Sequence, residues 1–264
     1  MAADAGLAWR AVTEGRAFGI DIGGSGMKAA PVDLATGELA DERFKILTPN
    51  PSNPENMADV VAELVGHFSW KGSIGVTFPG VVRHGVIYSA ANVDKSWMGT
   101  DADALFSKAA GAEVHVVNDA DAAGLAEVRF GAGRDRKGVV LVLTFGTGIG
   151  SGLFMDGVLV PNSELGHLEI DGHDAESKAA ASARDREGLS WKDWAVRVQR
   201  YLEVVVRLLS PELVIVGGGA SRTPRTWCEL SHQICTVLPG RVRVGGGGQP
   251  RAPAMTRSVT RSSS

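Results

Sequence analysis

Phe18-Gly19-Ile20-Asp21-Ile22-Gly23-Gly24-Ser25-Gly26-Met27-Lys28 reads as a strand, a tight turn and a second strand. A second segment, Leu143-Thr144-Phe145-Gly146-Thr147-Gly148-Ile149-Gly150-Ser151-Gly152, repeats the design. In each, the glycines sit between two short apolar runs, which is a hairpin signal. Glycine there lets the backbone take positive φ and lets a ligand approach main-chain N–H groups closely. Between the two segments lies Val116-Val117-Asn118-Asp119-Ala120-Asp121. Two glycine turns facing one cleft would hold a phosphate chain from both sides, with an aspartate between them as a base.

Working outward, the pattern predicts strands over 17–22, 29–34 and 39–47, then a proline-broken loop at Thr48–Pro54. Asn53 is placed to cap a helix running to about Ser69, with Pro54 at its first position. A strand over 73–78, a helix over 100–110, a strand over 113–117 and a helix over 119–130 follow. The order then restarts with strands over 138–145, 151–155 and 158–160, an amphipathic helix over 190–209, a strand over 212–216 and a helix over 223–237. The halves share an order of elements rather than a sequence. The divisions expected are an extension at 1–16, a small lobe at 17–118, a larger lobe at 119–244 and a disordered Arg/Ser/Thr-rich tail at 245–264.

The chain has 264 residues, 44% of them hydrophobic, which suits a two-lobed protein or two small domains. Lys+Arg number 27 against 30 Asp+Glu, a net charge of −3, so no overall basic excess points to nucleic acid and any anion site is local. Met1–Arg10 does not read as a signal peptide, and no apolar run has bilayer length. Cys228 and Cys235 fit small buried hydrophobes better than a disulfide, and a cytoplasmic location fits.

The segments DIGGSGMK, NDADAAG and TFGTGIGSG, with Glu164-Leu165-Gly166-His167, together resemble the ROK sugar kinases over residues 17–240, and within them the branch of glucokinases that uses polyphosphate. The resemblance implies an α/β, actin-like (ribonuclease H-like) fold of two lobes with the active site in the cleft between them. It implies phosphoryl transfer from polyphosphate or ATP to the 6-hydroxyl of glucose, with mannose as a candidate second acceptor, Mg²⁺ as cofactor, and a homodimer or monomer. A ROK kinase for fructose or N-acetylmannosamine using ATP alone is the alternative. A repressor of the family would carry a DNA-binding domain ahead of a motif that here starts at Phe18, and the sugar motif argues against an actin-like ATPase.

In that resemblance Asp119 is the catalytic base, although an aspartate at a helix start is also a common cap. Asn118, Asn92, Glu164, His167 and Glu176 match sugar contacts. Gly23, Gly24, Ser25, Gly26 and Lys28 match one phosphate turn, and Thr144, Gly146, Thr147, Gly148 and Gly150 the other; ordinary hairpins are the competing reading for either alone. Asp21 lies where a carboxylate beside phosphates needs Mg²⁺, bound through water. Gly217-Gly218-Gly219 match a nucleotide-side turn. Many ROK proteins hold structural zinc with cysteines, but no cysteine lies between Met1 and Trp227, so no Cys-rich zinc site is expected. For a long polyanion, Arg134, Arg136 and Lys137 are the first candidates, followed by Arg129, Arg184, Arg222 and Arg225.

Overall fold

The computed structural model describes residues 15–90 and 93–219 and the backbone of 241–244. In chain order the strands are β1 (Arg16–Gly23), β2 (Gly26–Asp33), β3 (Phe44–Ile46), β4 (Ile74–Phe78), β5 (Val82–Arg83), β6 (Val86–Ile87), β7 (Val114–Asn118), β8 (Val139–Phe145), β9 (Ile149–Met155), β10 (Val158–Val160), β11 (Glu169–Ile170), β12 (His173–Asp174), β13 (Leu213–Gly217) and β14 (Arg241–Val244). The helices are α1 (Pro54–His67), α2 (Ala102–Ala110), α3 (Asp119–Phe130), α4 (Ala175–Ala179), α5 (Ala181–Glu187) and α6 (Trp191–Leu209).

Two five-stranded sheets carry the structure, ordered β3-β2-β1-β4-β7 and β10-β9-β8-β13-β14. Each is built alike. A glycine hairpin starts it (β1–β2, β8–β9), an antiparallel edge strand extends the hairpin on one side, and two parallel strands extend it on the other. The repeated element order in the sequence is therefore a repeated topology.

Helices α1 and α2 cover one face of the first sheet, where Phe18, Ile20, Val76 and Phe78 meet Met57, Val61, Leu64 and Phe106. The second sheet is covered on both faces. Leu141, Leu143, Phe145, Val214 and Val216 pack on α6 through Trp194, Val198, Tyr201 and Val205. Val140, Val142, Phe154 and Ile215 on the other face pack on Leu125 and Val128 of α3. Strands β8 and β13 thus run as unbroken apolar stretches, as strands buried on both faces do. Phe145, the last residue before the second glycine turn, is fixed edge-on between Trp194 and Tyr201, with ring centroids 6.0 and 6.1 Å away.

Local signals act where they stand. Asn53 caps α1 by accepting from the Asn56 N–H, with Pro54 in the first turn. The strand expected over 39–47 is confined to Phe44–Ile46, with a lone bridge between Val32 and Leu39. The β5–β6 and β11–β12 ribbons, helices α4 and α5, and β14 were not expected, each being too short to show a period. The helix expected over 223–237, Cys228, Cys235, Arg222, Arg225, Asn92, most of the expected extension and the expected tail lie outside the described residues.

Candidate active site

The first hairpin closes in two residues, Gly24-Ser25. Asp21 and Lys28 face each other across it and form an ion pair of 3.4 Å. The Thr77 hydroxyl donates to the other Asp21 oxygen at 3.1 Å. In the second hairpin, Gly146-Thr147-Gly148 turns the chain, with the Gly146 N–H donating to the Gly148 carbonyl at 3.0 Å.

Gly23, Gly24, Gly26, Gly146, Gly148 and Gly150 do not use the positive φ open to glycine; none lies in the left-handed region. These glycines answer to crowding and access instead. A Cβ at Gly148 would strike the Glu176 carboxylate, and one at Gly150 would lie 2.6 Å from Thr144 Oγ1 and 2.8 Å from Ala120 Cβ. Gly24 and Gly146 have nothing within 4 Å of that position, which leaves their backbone open to a ligand.

Asp119 opens α3 directly after β7, and the cap is its neighbour. The Asn118 side-chain oxygen accepts from the N–H groups of Ala120 and Asp121, and its amide nitrogen donates to the Gly80 carbonyl. Asn118 is buried and holds the helix start; Asp119, relieved of capping, is open to solvent. It is nevertheless walled by protein, and this burial of the carboxyl pushes its pKa above the usual value of 3.8, with the Asp21 charge adding to the rise.

The segment after β10 brings in the sugar motif. Glu164 is exposed, its pKa raised by partial burial and pulled back by His167. His167 Nδ1 lies 2.9 Å from Asp174 Oδ2 and 4.0 Å from Glu176 Oε1, and the hydrogen bond to Asp174 raises its pKa. Asp174 also caps α4, accepting from Glu176 and Ser177, so one carboxylate sets both the helix and the imidazole. Glu176 in turn accepts from the Ile149 N–H, tying the motif to the second glycine turn. His167, Asp174 and Glu176 present ligand atoms within 4.8 Å of one another, a nitrogen and two carboxylates.

Behind the second turn is a cavity of about 440 Å³ lined by Gly146, Thr147, Ser182, Arg184, Trp191 and Gly219. Ser182 binds the turn twice, its N–H to the Gly146 carbonyl and its hydroxyl to that of Thr147. The Arg184 guanidinium lies 4.0 Å over the Trp191 ring, and its Nε is buried with no hydrogen-bond partner among the described residues. Gly218 has φ +86°, which suits glycine, and a Cβ there would lie 2.6 Å from the Phe145 carbonyl oxygen. The glycines after β13 therefore abut the second turn. Asp21, Lys28 and Thr77 line a separate depression of about 220 Å³ on the first sheet. The two turns do not share one described cavity, but Asp21 and Asp119 are near enough that the charge of Asp21 adds to the rise in the Asp119 pKa.

Arg134, Arg136 and Lys137 precede β8, whereas the glycine turn follows it. Seven strand residues at about 3.3 Å each put roughly 20 Å between them. The cluster therefore stands apart from the turn, at a distance that only a donor running well beyond the turn would span. Neutralising all three residues is expected to raise KM for polyphosphate more than KM for ATP in steady-state assays; an equal change for both donors, or none, would leave the cluster a solvated surface.

A family model described as "ROK family" matches residues 17–182. The chain belongs to the ROK family. It is 48% identical over 251 residues, 95% of each chain, to the polyphosphate glucokinase of Mycobacterium tuberculosis strain H37Rv. Among solved structures it resembles the inorganic polyphosphate/ATP-glucomannokinase from Arthrobacter sp. strain KM, with a TM-score of 0.77 and 52% identity over 88% of this chain and 91% of that one. The ROK glucokinase from Streptomyces griseus, solved with glucose and AMPPNP, has the same fold at 23% identity and a TM-score of 0.72, over 87% of this chain and 94% of that one. The two sheets with repeated topology are thus the two lobes of the actin-like fold.

Asp121, Ser182, Trp191, Asn162 and Asp174 shape this region and were not singled out as functional in the sequence. Only Asp121 carried a signal, as the second aspartate of NDAD.

Proposed function

We propose that this protein transfers a phosphoryl group from inorganic polyphosphate or ATP to the 6-hydroxyl of glucose, with mannose as a second acceptor. The observation that carries the reading is Asp119: a carboxylate freed from capping by Asn118, open to solvent, with its pKa raised, in a chain 48% identical to a polyphosphate glucokinase over nearly its whole length.

In this mechanism glucose lies against Glu164, His167 and Glu176, with Asn118 and Asn92 completing the set. Paired donors and acceptors at that density replace the water that sugar hydroxyls lose. The Asp119 carboxylate takes the 6-hydroxyl proton as the oxygen attacks the terminal phosphorus. The bond to the donor's bridging oxygen breaks, and the shortened polyphosphate or ADP leaves. Phosphoryl transfer asks the protein mainly for alignment and charge stabilisation. The backbone of Gly23–Gly26 and Thr144–Gly150, with Ser25 and Lys28, supplies both. Gly217–Gly219 and the cavity beside them suit the remainder of the donor, and Arg184, paired there with Asp185 at 2.7 Å, is the cation in its lining.

Asp21 fits Mg²⁺: it is exposed, and it raises the pKa of a second carboxylate across the cleft. The ion would be held by Asp21 through water and would neutralise charge on the donor. EDTA is expected to abolish turnover and leave the melting temperature within a few degrees. Stoichiometric, tightly held zinc by elemental analysis, with His167, Asp174 and Glu176 the first place to look, would contradict the expected absence of a structural zinc. The reading includes a cytoplasmic enzyme working as a homodimer or monomer.

A donor-by-sugar activity matrix tests the function. Glucose phosphorylation with both polyphosphate and ATP is expected. Turnover of fructose or N-acetylmannosamine with ATP alone would favour the alternative ROK kinase.

A further inference from the structure

Asn162, in the segment between β10 and Glu164, does work that the chemistry above leaves unexplained. Its side-chain oxygen accepts from the Val82 N–H at 2.9 Å, and its amide nitrogen donates to the Val82 carbonyl at 2.8 Å. One amide side chain thereby saturates the backbone of one residue 80 positions away, as a neighbouring strand would. Val82 is buried in β5, which hangs from the first sheet, while Asn162 belongs to the second lobe. Its own N–H donates to Asp121 Oδ2 at 2.8 Å.

Two further features mark this residue. Asn162 has φ +58°, a left-handed conformation that L side chains avoid and that asparagine tolerates better than most. Such strain persists only where surrounding contacts enforce it. Asp121, its partner on α3, is 2% exposed, and its second oxygen is buried with no hydrogen-bond partner among the described residues. A buried carboxylate is thus committed to a single main-chain N–H, with Glu164 and Asp119 as its charged neighbours.

The residues after Asn162 are pinned one by one. Ser163 and Ser151 exchange hydroxyl-to-carbonyl bonds, the Leu165 N–H donates to Ser151 Oγ at 3.0 Å, and Gly166 is pressed so close to the Ile149 carbonyl that a Cβ there would collide with it. Glu164 and His167 are the residues left exposed among those that follow Asn162 in this strap.

We propose that Asn162 is a positioning residue for the acceptor sugar: its clasp on the Val82 backbone, backed by Asp121, holds the strap carrying Glu164 and His167 in register with the first lobe. The inference rests on the reading of Glu164 and His167 as sugar contacts. Each sheet is complete without the clasp, so its loss loosens the relation between the lobes rather than either fold.

The test uses the full-length protein and three variants. Asn162→Gly removes the amide and relieves the left-handed backbone. Asn162→Asp keeps the size and the acceptor but loses the donor to Val82, and it stands in should the glycine variant fold poorly. Glu164→Gln calibrates the sugar reading. For Asn162→Gly, KM for glucose is expected to rise about tenfold or more while KM for ATP and polyphosphate stays within about twofold, a split that general destabilisation would not give. Asn162→Asp should fall between. Amide exchange at Val82 and over 163–167 should quicken in both variants, a readout that needs no sugar. Unchanged exchange, or a glucose KM that is unchanged or rises only in step with both donor constants, overturns the proposal. If Glu164→Gln leaves glucose KM unchanged, the sugar reading fails and the proposal falls with it; faster exchange would then mark that as the cause.

Discussion

Asp119→Asn is expected to lower kcat for glucose phosphorylation by about 10²-fold or more, the scale of general-base removal. KM for glucose should change little. The expectation is this sharp because Asp119 has so little structural duty. Asn118 caps α3, and the Asp119 side chain accepts only from main-chain N–H groups next to it, that of Ala120 at 2.8 Å and its own. An asparagine oxygen can accept the same bonds, so folding and sugar contacts survive while the proton acceptor is lost. Because burial raises the Asp119 pKa and the base works ionised, kcat/KM for glucose in the parent enzyme should fall as pH drops through a midpoint above 3.8. An acid limb centred at or below that value, or near-parental turnover by the variant, would remove Asp119 from its role.

Gly150→Val should produce the second large loss, by displacement rather than by chemistry. Gly150 pairs with Thr144 across the second hairpin, and a Cβ there would lie 2.8 Å from Ala120, the residue after Asp119. At Gly152 a Cβ would meet the Ala120 carbonyl at 3.2 Å and the Gly124 Cα at 3.5 Å. Bare backbone on β9 thus lets the first two turns of α3 settle against the sheet. Valine would push the helix start, and Asp119 with it, outward. A shift near 1 Å costs about 10²-fold in rate, and overpacking costs about 1–3 kcal/mol in stability. Paired measurements of kcat and melting temperature, with Gly150→Ala as the intermediate case, check this. Parental kcat in the valine variant would mean that α3 is not seated by this contact.

Much of this was legible because it is local. Asn53-Pro54 announces α1, the apolar faces of α1 and α6 show their period, and the hairpins are written in glycine. The identity of the glycines was legible and their reason was not. Left-handed backbone is one freedom of glycine and close approach another; what governs Gly148 and Gly150 is the approach of Glu176 and Ala120, residues on other elements. Sequence order sets Arg134, Arg136 and Lys137 before β8 and the turn after it, and the course of a bound polyanion, which decides whether they meet it, leaves no mark on the sequence. The Asn162 clasp was invisible for a related reason: it recognises the backbone of Val82, and a backbone leaves no mark on residue type. The short ribbons, α4, α5 and β14 lack the length over which a period can be read.

The central claim is transfer to the 6-hydroxyl of glucose from polyphosphate as well as ATP. Phosphorus NMR of the product formed from glucose and polyphosphate, by the parent protein and by Asp119→Asn, tests it most directly. The account predicts a single phosphomonoester at carbon 6 that accumulates with the parent protein and is nearly absent with the variant. Release of inorganic phosphate without a sugar ester, or an ester at another carbon, would contradict it.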